Sequence, residues 1–411
     1  MDQQNNNQTK VQITPLDTNE RLNHIDSLRG FALLGILLVN MFVFQYGMVG
    51  MEYIPSQVTS GLDLISYQFI NWFFQGSYYP IFSMLFAFGA VMIWERSQVK
   101  QRPFYLLFSR RLLILLALGF VHAYFIWDGD ILLTYAITGF LFIFFVKRKA
   151  KTLLIWAISL ITLINLIGII PSGDEEVTFE SYVEYEQNML ATGTYSDIVH
   201  HRFTANPYSK VDYGIELSEL EREITAAIVS IFSFILMIAQ TFSLFLVGGY
   251  IAKKRWIHEP DTYRSVLVKI TWIAIPLGLL LKTGMVFTLN ESLEFLAYFL
   301  GGPLLALGYI AGFCLLFFNR GSIKLVRGFG YVGRMALSNY LVQSIVMTTI
   351  FYGYGFGLFG KIGTFLGILL AIVLFVIQMI ISRWWLNRYQ FGPMEWMWRI
   401  GTYLSIPKIK N

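Results

Sequence analysis

Cysteine is nearly missing. The 411 residues contain one, Cys314, so no disulfide framework holds this chain together and no CxxC pair is there to build a redox or metal centre. Charge is scarce as well, at 14% of residues, well under the roughly 25% of an ordinary soluble domain. No Walker loop, no dinucleotide fingerprint after a strand and no HExxH pair occur, which leaves ATP hydrolysis and metal chemistry without their usual signatures. What fills the chain is apolar: 55% hydrophobic and 17% aromatic residues, with a mean hydropathy of +0.56. Disordered and collagen-like chains have no such composition. A net charge of +5 is too small and too scattered to point to nucleic acid.

The apolar residues come in runs long enough for a hydrocarbon core of roughly 30 Å. They cover 31–49, 78–93, 112–126, 131–146, 152–170, 224–251, 265–289, 295–318, 332–353 and 364–385. The expected fold is therefore all-α, a polytopic integral membrane bundle of about ten transmembrane helices. Its cations give an independent check, because Lys and Arg collect on the cytoplasmic side of alternate connections. All but Arg202, Lys210, Arg222, Lys282 and Lys361 of the 31 fall in the two tails and in alternate loops. That distribution predicts both termini in the cytoplasm, with no cleaved signal peptide at the polar, Asn/Gln-rich start. The resulting organisation is a cytoplasmic tail over 1–28, five helices over 29–170, an acidic extracytoplasmic loop over 171–223, five helices over 224–386 and an interfacial cytoplasmic segment over 387–411. Phe179, Tyr182, Val183, Met189 and Leu190 share a helical face in the loop, which predicts an amphipathic helix lying across the membrane surface.

Ionisable groups inside a span are costly, and each is a functional candidate. His122 is the one histidine expected inside the membrane, ~16 Å beyond Arg111 at helical rise. It is followed by Asp128 and Asp130 at a tight turn. An imidazole serves as general base or acid without a metal; it also serves as a hydrogen-bond link between helices. Six or eight residues along a straight helix keep both carboxylates from the ring, and only a break near Gly129 would bring one to it. The aspartates are equally suited to capping the next helix. Asn40 lies at a similar depth, eleven residues after Arg29, as a positioning amide or as interhelical glue. Asp26 and Arg29 are spaced for an ion pair, as are Glu395 and Arg399. Asn339 and Gln343 stand four apart, one turn above Arg334, and are expected to line an inner pocket. Arg29, Arg110, Arg111, Arg334 and Arg399 gather at the cytoplasmic mouth, where guanidinium forks suit phosphates, although topology alone also places cations there. Gly76-Ser77-Tyr78-Tyr79-Pro80 interrupts an apolar stretch too long for one simple span and predicts a kinked or re-entrant element.

Asp26-Ser27-Leu28-Arg29-Gly30 with Asn40, the segment 119–132, and the clusters 333–343 and 391–399 together resemble YeiB-type proteins, which carry the domain of unknown function 418. The likeness covers nearly the whole chain apart from the N-terminal tail and outer loop. That family is similar in turn to the transmembrane acyltransferase superfamily, which includes heparan-alpha-glucosaminide N-acetyltransferase and bacterial sugar O-acyltransferases. The resemblance implies a multi-pass protein of a bacterial plasma membrane that moves an acyl group from cytoplasmic acyl-CoA, such as acetyl-CoA, to an extracytoplasmic glycan, lipid or small metabolite. His122 would be the base, Asn40 would position the acyl carbonyl, Asp128 or Asp130 would bind the acceptor, and the arginines, with Asn339 and Gln343, would hold the coenzyme. The bacterial O-acyltransferases carry histidine where this chain has Asn40. Expected partners are membrane lipids, acyl-CoA and the acceptor, with a homodimer allowed and neither metal nor nucleic acid. The rival reading is a transporter or exporter of a small polar or amphiphilic solute, using His122, Lys282 and Asp130 as relay or selectivity groups. A sensor or scaffold has only the acidic loop in its favour.

Overall fold

The computed structural model describes residues 22–58, 60–101, 103–170, 178–211, 217–287, 290–317 and 323–410. The N-terminal tail with Lys10 and Arg21, the cations Arg102 and Arg320, and the loop stretches 171–177 and 212–216 lie outside them. The chain folds as an all-α polytopic membrane bundle: eight helical stretches among the described residues have the length and apolarity to cross a membrane, and two shorter apolar helices join them. Lipid offers no partner for backbone N–H and C=O groups, so these segments close their hydrogen bonds internally as helices.

In chain order the principal helices are α1 (Asn23–Tyr46), α2 (Gly61–Phe73), α3 (Tyr78–Val99), α4 (Phe104–Val121), α5 (Leu132–Phe142), α6 (Ala150–Ile167), α7 (Glu180–Thr192) and α8 (Tyr195–Thr204). They continue with α9 (Glu219–Lys253), α10 (Arg264–Leu281), α11 (Gly302–Phe317), α12 (Ile323–Arg334), α13 (Ala336–Phe351), α14 (Thr364–Leu386) and α15 (Pro393–Tyr403). α1 is the central post, with 72% of its apolar window buried, whereas α6 keeps 22% of its own buried and faces outward.

Two breaks shape the interior. Between α2 and α3 the chain turns at Gly76, whose φ of +69° suits a residue without a side chain. Lys282, fully buried, donates to the Gln75 carbonyl and to Ser77 Oγ at that break, satisfying groups the interrupted helix leaves open. This is the kink expected around Gly76. The second break falls at Met335, where the apolar run 332–353 divides into α12 and α13. Upstream of it, α12 lies backbone to backbone against the first turns of α1. A Cβ at Gly30 would collide with the Phe329 carbonyl, and one at Gly333 with the Asp26 carbonyl. That contact sets Arg29 beside Arg334.

The helix expected in the acidic loop is present as α7, with its apolar face packed against the protein. Tyr182, Val183 and Leu190 are buried, the Leu190 carbonyl accepts from Gly353 N beyond α13, and Glu186 reaches the chain just after α1. α7 thus caps the bundle's own acidic end.

Candidate active site in the bundle core

A cavity of about 340 Å³ opens at the basic end of the bundle. Arg29, Arg96, Arg111, Arg334 and Arg399 line its mouth, with Asp26 and Glu395 among them. Each is held in place by its helix. Arg29 pairs with Asp26 at 2.8 Å, as the i,i+3 spacing predicts. The Arg111 guanidinium stacks 3.5 Å over the Trp398 ring, while Trp398 Nε1 donates to the Arg111 carbonyl at 2.8 Å, so α15 is clamped onto α4. Glu395 accepts from the backbone N–H groups of Leu337 at 2.7 Å and Ser338 at 3.1 Å, and from the Ser338 hydroxyl at 2.5 Å. It caps α13 from another helix, offsetting that helix's unpaired N-terminal donors. Arg399 lies 4.1 Å over the Phe391 ring.

Deeper in, the walls turn apolar with Leu33, Ile36, Phe82 and Phe86, and the floor is made of Leu132, Tyr135 and Tyr340. Tyr340 donates to the Gly129 carbonyl at 3.3 Å, and its ring centroid is 4.9 Å from that of His122. His122 therefore sits one ring behind the cavity floor, fully buried.

His122 meets a carboxylate because α4 does not stay straight. From His122 to Ile126 the helix widens into a π turn, with Trp127 N donating to the His122 carbonyl at 2.7 Å. Trp127 is extended, and the chain folds back through Asp128 and Gly129. Asp130 then places Oδ1 2.8 Å from His122 Nδ1, while its Oδ2 accepts from Leu133 N at 2.7 Å at the start of α5. The aspartate binds the ring and caps the helix at once. On the other side of the imidazole, Nε2 lies 2.9 Å from Ser344 Oγ on α13. Such a turn at membrane depth is tolerated only where protein covers it. Here α8 does so, with Tyr195 Oη donating to the Phe125 carbonyl at 2.8 Å.

A second polar group lies on the acidic side of this turn. The Arg202 side chain is 3% exposed, 4.0 Å from the Asp128 carboxylate and 5.9 Å from the Tyr352 ring centroid. None of its three side-chain nitrogens has a hydrogen-bond partner among the described residues; the same holds for Asp128 Oδ1, His201 Nδ1, Tyr352 Oη and Trp127 Nε1. Buried donors and acceptors left open in this way mark places where water or a polar ligand completes the set. Glu186 borders the group. Burial and then the Asp128 charge push its carboxyl up to about 7, against the Val49, Met48 and Gly50 N–H groups that pull it down. Burial holds the His201 imidazole below its ordinary range.

Of the residues singled out in sequence, the structure gathers Arg29, Arg111, Arg334 and Arg399 at one cavity mouth and joins His122 to Asp130. It does not bring the rest there. Asn339 donates to Ser382 Oγ at 3.0 Å and to the Val332 carbonyl at 3.3 Å, and Gln343 donates to Gln378 at 2.8 Å. The expectation that they line an inner pocket is corrected: their i,i+4 face is turned to an equally spaced pair on α14, and the amides bind helix to helix. Arg110 and Asn40 are outside the cavity lining, because Arg110 follows its neighbour onto another face of α4 and Asn40 lies beyond the floor along α1. Asp128 faces Arg202 rather than the imidazole. Arg96, Ser344 and Arg202 carry no motif that sets them apart, and Tyr340 lies inside the 333–343 cluster without standing out in it. Only the one-turn spacing of Tyr340 and Ser344, in register with Ala336, was available as a signal for the inward face of α13.

Against known proteins, residues 251–405 match the family described as Protein of unknown function (DUF418). The chain is 35% identical over 404 residues to "Uncharacterized protein YxaH" of Bacillus subtilis (strain 168), covering 96% of this chain and 97% of that one. It is 29% identical over 396 residues to "Uncharacterized 39.9 kDa protein in amylase 3'region" of Bacillus acidopullulyticus, with 95% and 96% covered. With "Uncharacterized protein YeiB" of Escherichia coli (strain K12) it shares 24% over 407 residues, with 92% and 96% covered.

Proposed function

Because the chain belongs to the YeiB-like family that carries this domain of unknown function, we propose that it is a membrane-embedded acyltransferase. The acyl donor is acyl-CoA, which enters the arginine-ringed cavity from the cytoplasm. The acceptor is a hydroxyl or amine reached from the acidic-loop side of the plasma membrane, and His122 is the general base. The observation that carries this reading is the place of the His122–Asp130 pair, 2.8 Å apart, between the arginine cavity and the open polar group around Arg202.

Several features support it. Five guanidinium groups at one mouth offer the planar donor forks that phosphates take, and the apolar, aromatic depth suits a pantetheine arm and a short acyl chain. Asp130 holds the ring by Nδ1, the arrangement that keeps an imidazole in one tautomer and steadies the imidazolium formed when it takes a proton. Asp128 and Arg202 are suited to hold the acceptor's polar groups. Lys282, bonded at the α2–α3 break, takes no part in this line of groups.

The test uses purified protein in lipid nanodiscs with acetyl-CoA. Wild type is expected to release CoA, by transfer or by slow hydrolysis, while His122→Ala at equal yield and thermal stability loses the activity at least ~100-fold, the usual scale of a general base. Equal CoA release by wild type and His122→Ala would remove the mechanism.

A further inference from the structure

We propose that Ser344 is a nucleophile, the third member of a buried Asp130–His122–Ser344 triad, and that transfer runs through an acyl-serine. The inference rests on the acyltransferase reading and adds a covalent step to it.

With Asp130 acting as a carboxylate, the hydrogen-bond partners set the direction of the protons. An ionised carboxylate only accepts, so Asp130, which also accepts from Leu133 N at 2.7 Å, leaves His122 Nδ1 as the donor. In the neutral imidazole Nε2 then carries the lone pair, and the hydroxyl 2.9 Å away is the group that donates to it. That is the polarity of a base and its nucleophile. A serine inside a helix commonly returns its hydroxyl to the carbonyl four residues back. Here the Ser344 contact to the Tyr340 carbonyl is 3.3 Å, longer than the one to His122. Ser344 thus occupies the position that an acceptor hydroxyl would need beside Nε2, and direct transfer to an acceptor would have to displace it.

The surroundings supply the remaining parts. Trp127 Nε1 is buried without a hydrogen-bond acceptor among the described residues, and the indole lies edge-on to His122 with ring centroids 6.2 Å apart. It is an open donor beside the imidazole, of the kind that serves the oxygen of a tetrahedral intermediate. Tyr340 stands one turn before Ser344 on α13, ~6 Å along the axis, and forms the cavity floor. Its phenol is held at the Gly129 carbonyl, 3.3 Å away, and at the backbone of Ile131, and a side-chain rotation that gives up these two contacts opens the route from the cavity to Ser344.

In the first step Ser344 Oγ attacks the thioester carbonyl carbon as its proton passes to His122 Nε2. The C–S bond breaks, and CoA leaves as the thiol after taking that proton. In the second, an acceptor hydroxyl or amine, or water in its absence, gives its proton to Nε2 and attacks the acyl ester. The ester C–O bond breaks, and the proton returns to Ser344 Oγ. No oxidant, reductant or metal is required.

The experiment incubates nanodisc-embedded protein with isotope-labelled acetyl-CoA, quenches in acid within the turnover time and digests for mass spectrometry. Wild type is expected to yield a labelled acetyl ester on the peptide bearing Ser344, labile to hydroxylamine. Ser344→Ala is expected to lose the label together with at least ~100-fold in CoA release, and Ser344→Cys to trap a longer-lived thioester. Wild-type CoA release with no acylated Ser344, whatever the rate of Ser344→Ala, overturns the triad and leaves direct transfer by His122 standing. Wild type that neither releases CoA nor acquires label overturns both.

Discussion

At the scale of single residues, Asp130 has two tasks that a conservative substitution separates. Asp130→Asn can still accept from Leu133 N and so keep the α5 cap, but its amide can donate to Nδ1 and turn the imidazole to the wrong tautomer. Acetyl transfer is expected to fall by ~10³-fold or more while the melting temperature in detergent stays within a few degrees; an unchanged rate would show that the ring's orientation does no chemical work. Glu186 makes a different prediction. Its folded carboxyl titrates at about 7 against an ordinary 4.5. Between those values the native state keeps a proton that the unfolded chain gives up. The sign follows from linkage: with more protons bound in the native state, stability decreases as pH rises through this window, at up to ~1.4 kcal/mol per pH unit. Thermal unfolding followed from pH 4.5 to 7 should show that loss, and Glu186→Gln should flatten it. A parallel decline in both proteins would assign the pH dependence to other groups.

At the scale of elements, the α1–α12 contact decides whether the arginine mouth exists at all. Gly30 and Gly333 let two backbones touch, and the touching carries Arg29 and Arg334 to one rim. Gly333→Ala forces a methyl into the Asp26 carbonyl, an overpacking cost of ~1–3 kcal/mol, and parts the two guanidinium groups. The expected result is a lower melting temperature together with at least ~10-fold weaker acetyl-CoA binding by calorimetry. Weaker binding without destabilisation, or the reverse, would uncouple the helix contact from the site. The π turn after α4 is the other decisive element. Helical periodicity keeps Asp130 away from His122; Gly129 marked where a break would join them, but nothing in the sequence announced that the helix widens from His122 onward. The dyad was therefore not legible in the sequence, although each of its members was. Asn339 and Gln343 show the converse: their shared face was legible, but its direction depended on Gln378 and Ser382 of a helix packed against it.

At the scale of the whole molecule, what sequence conveyed most fully was what lipid dictates. Apolar run lengths marked the eight stretches with the length and apolarity to cross a membrane, and also the shorter apolar helices α5 and α13, and the arginines that meet at one mouth were already gathered by the alternation of basic loops. The interior was less accessible, because polar groups buried in a bundle are set by which helices touch, as Ser344 and Arg202 illustrate. The overall arrangement is a line of groups running from the arginine cavity, through Tyr340 and the His122 turn, to the Asp128–Arg202 group under α7. The most direct measurement uses sealed vesicles of uniform orientation, with labelled acetyl-CoA supplied on one side and a hydroxyl- or amine-bearing glycan acceptor on the other. The account predicts label on the acceptor only when acetyl-CoA faces the arginine end, with CoA left behind on that side. Label that appears equally from either face, or intact acetyl-CoA or acceptor crossing without acetyl transfer, would contradict it.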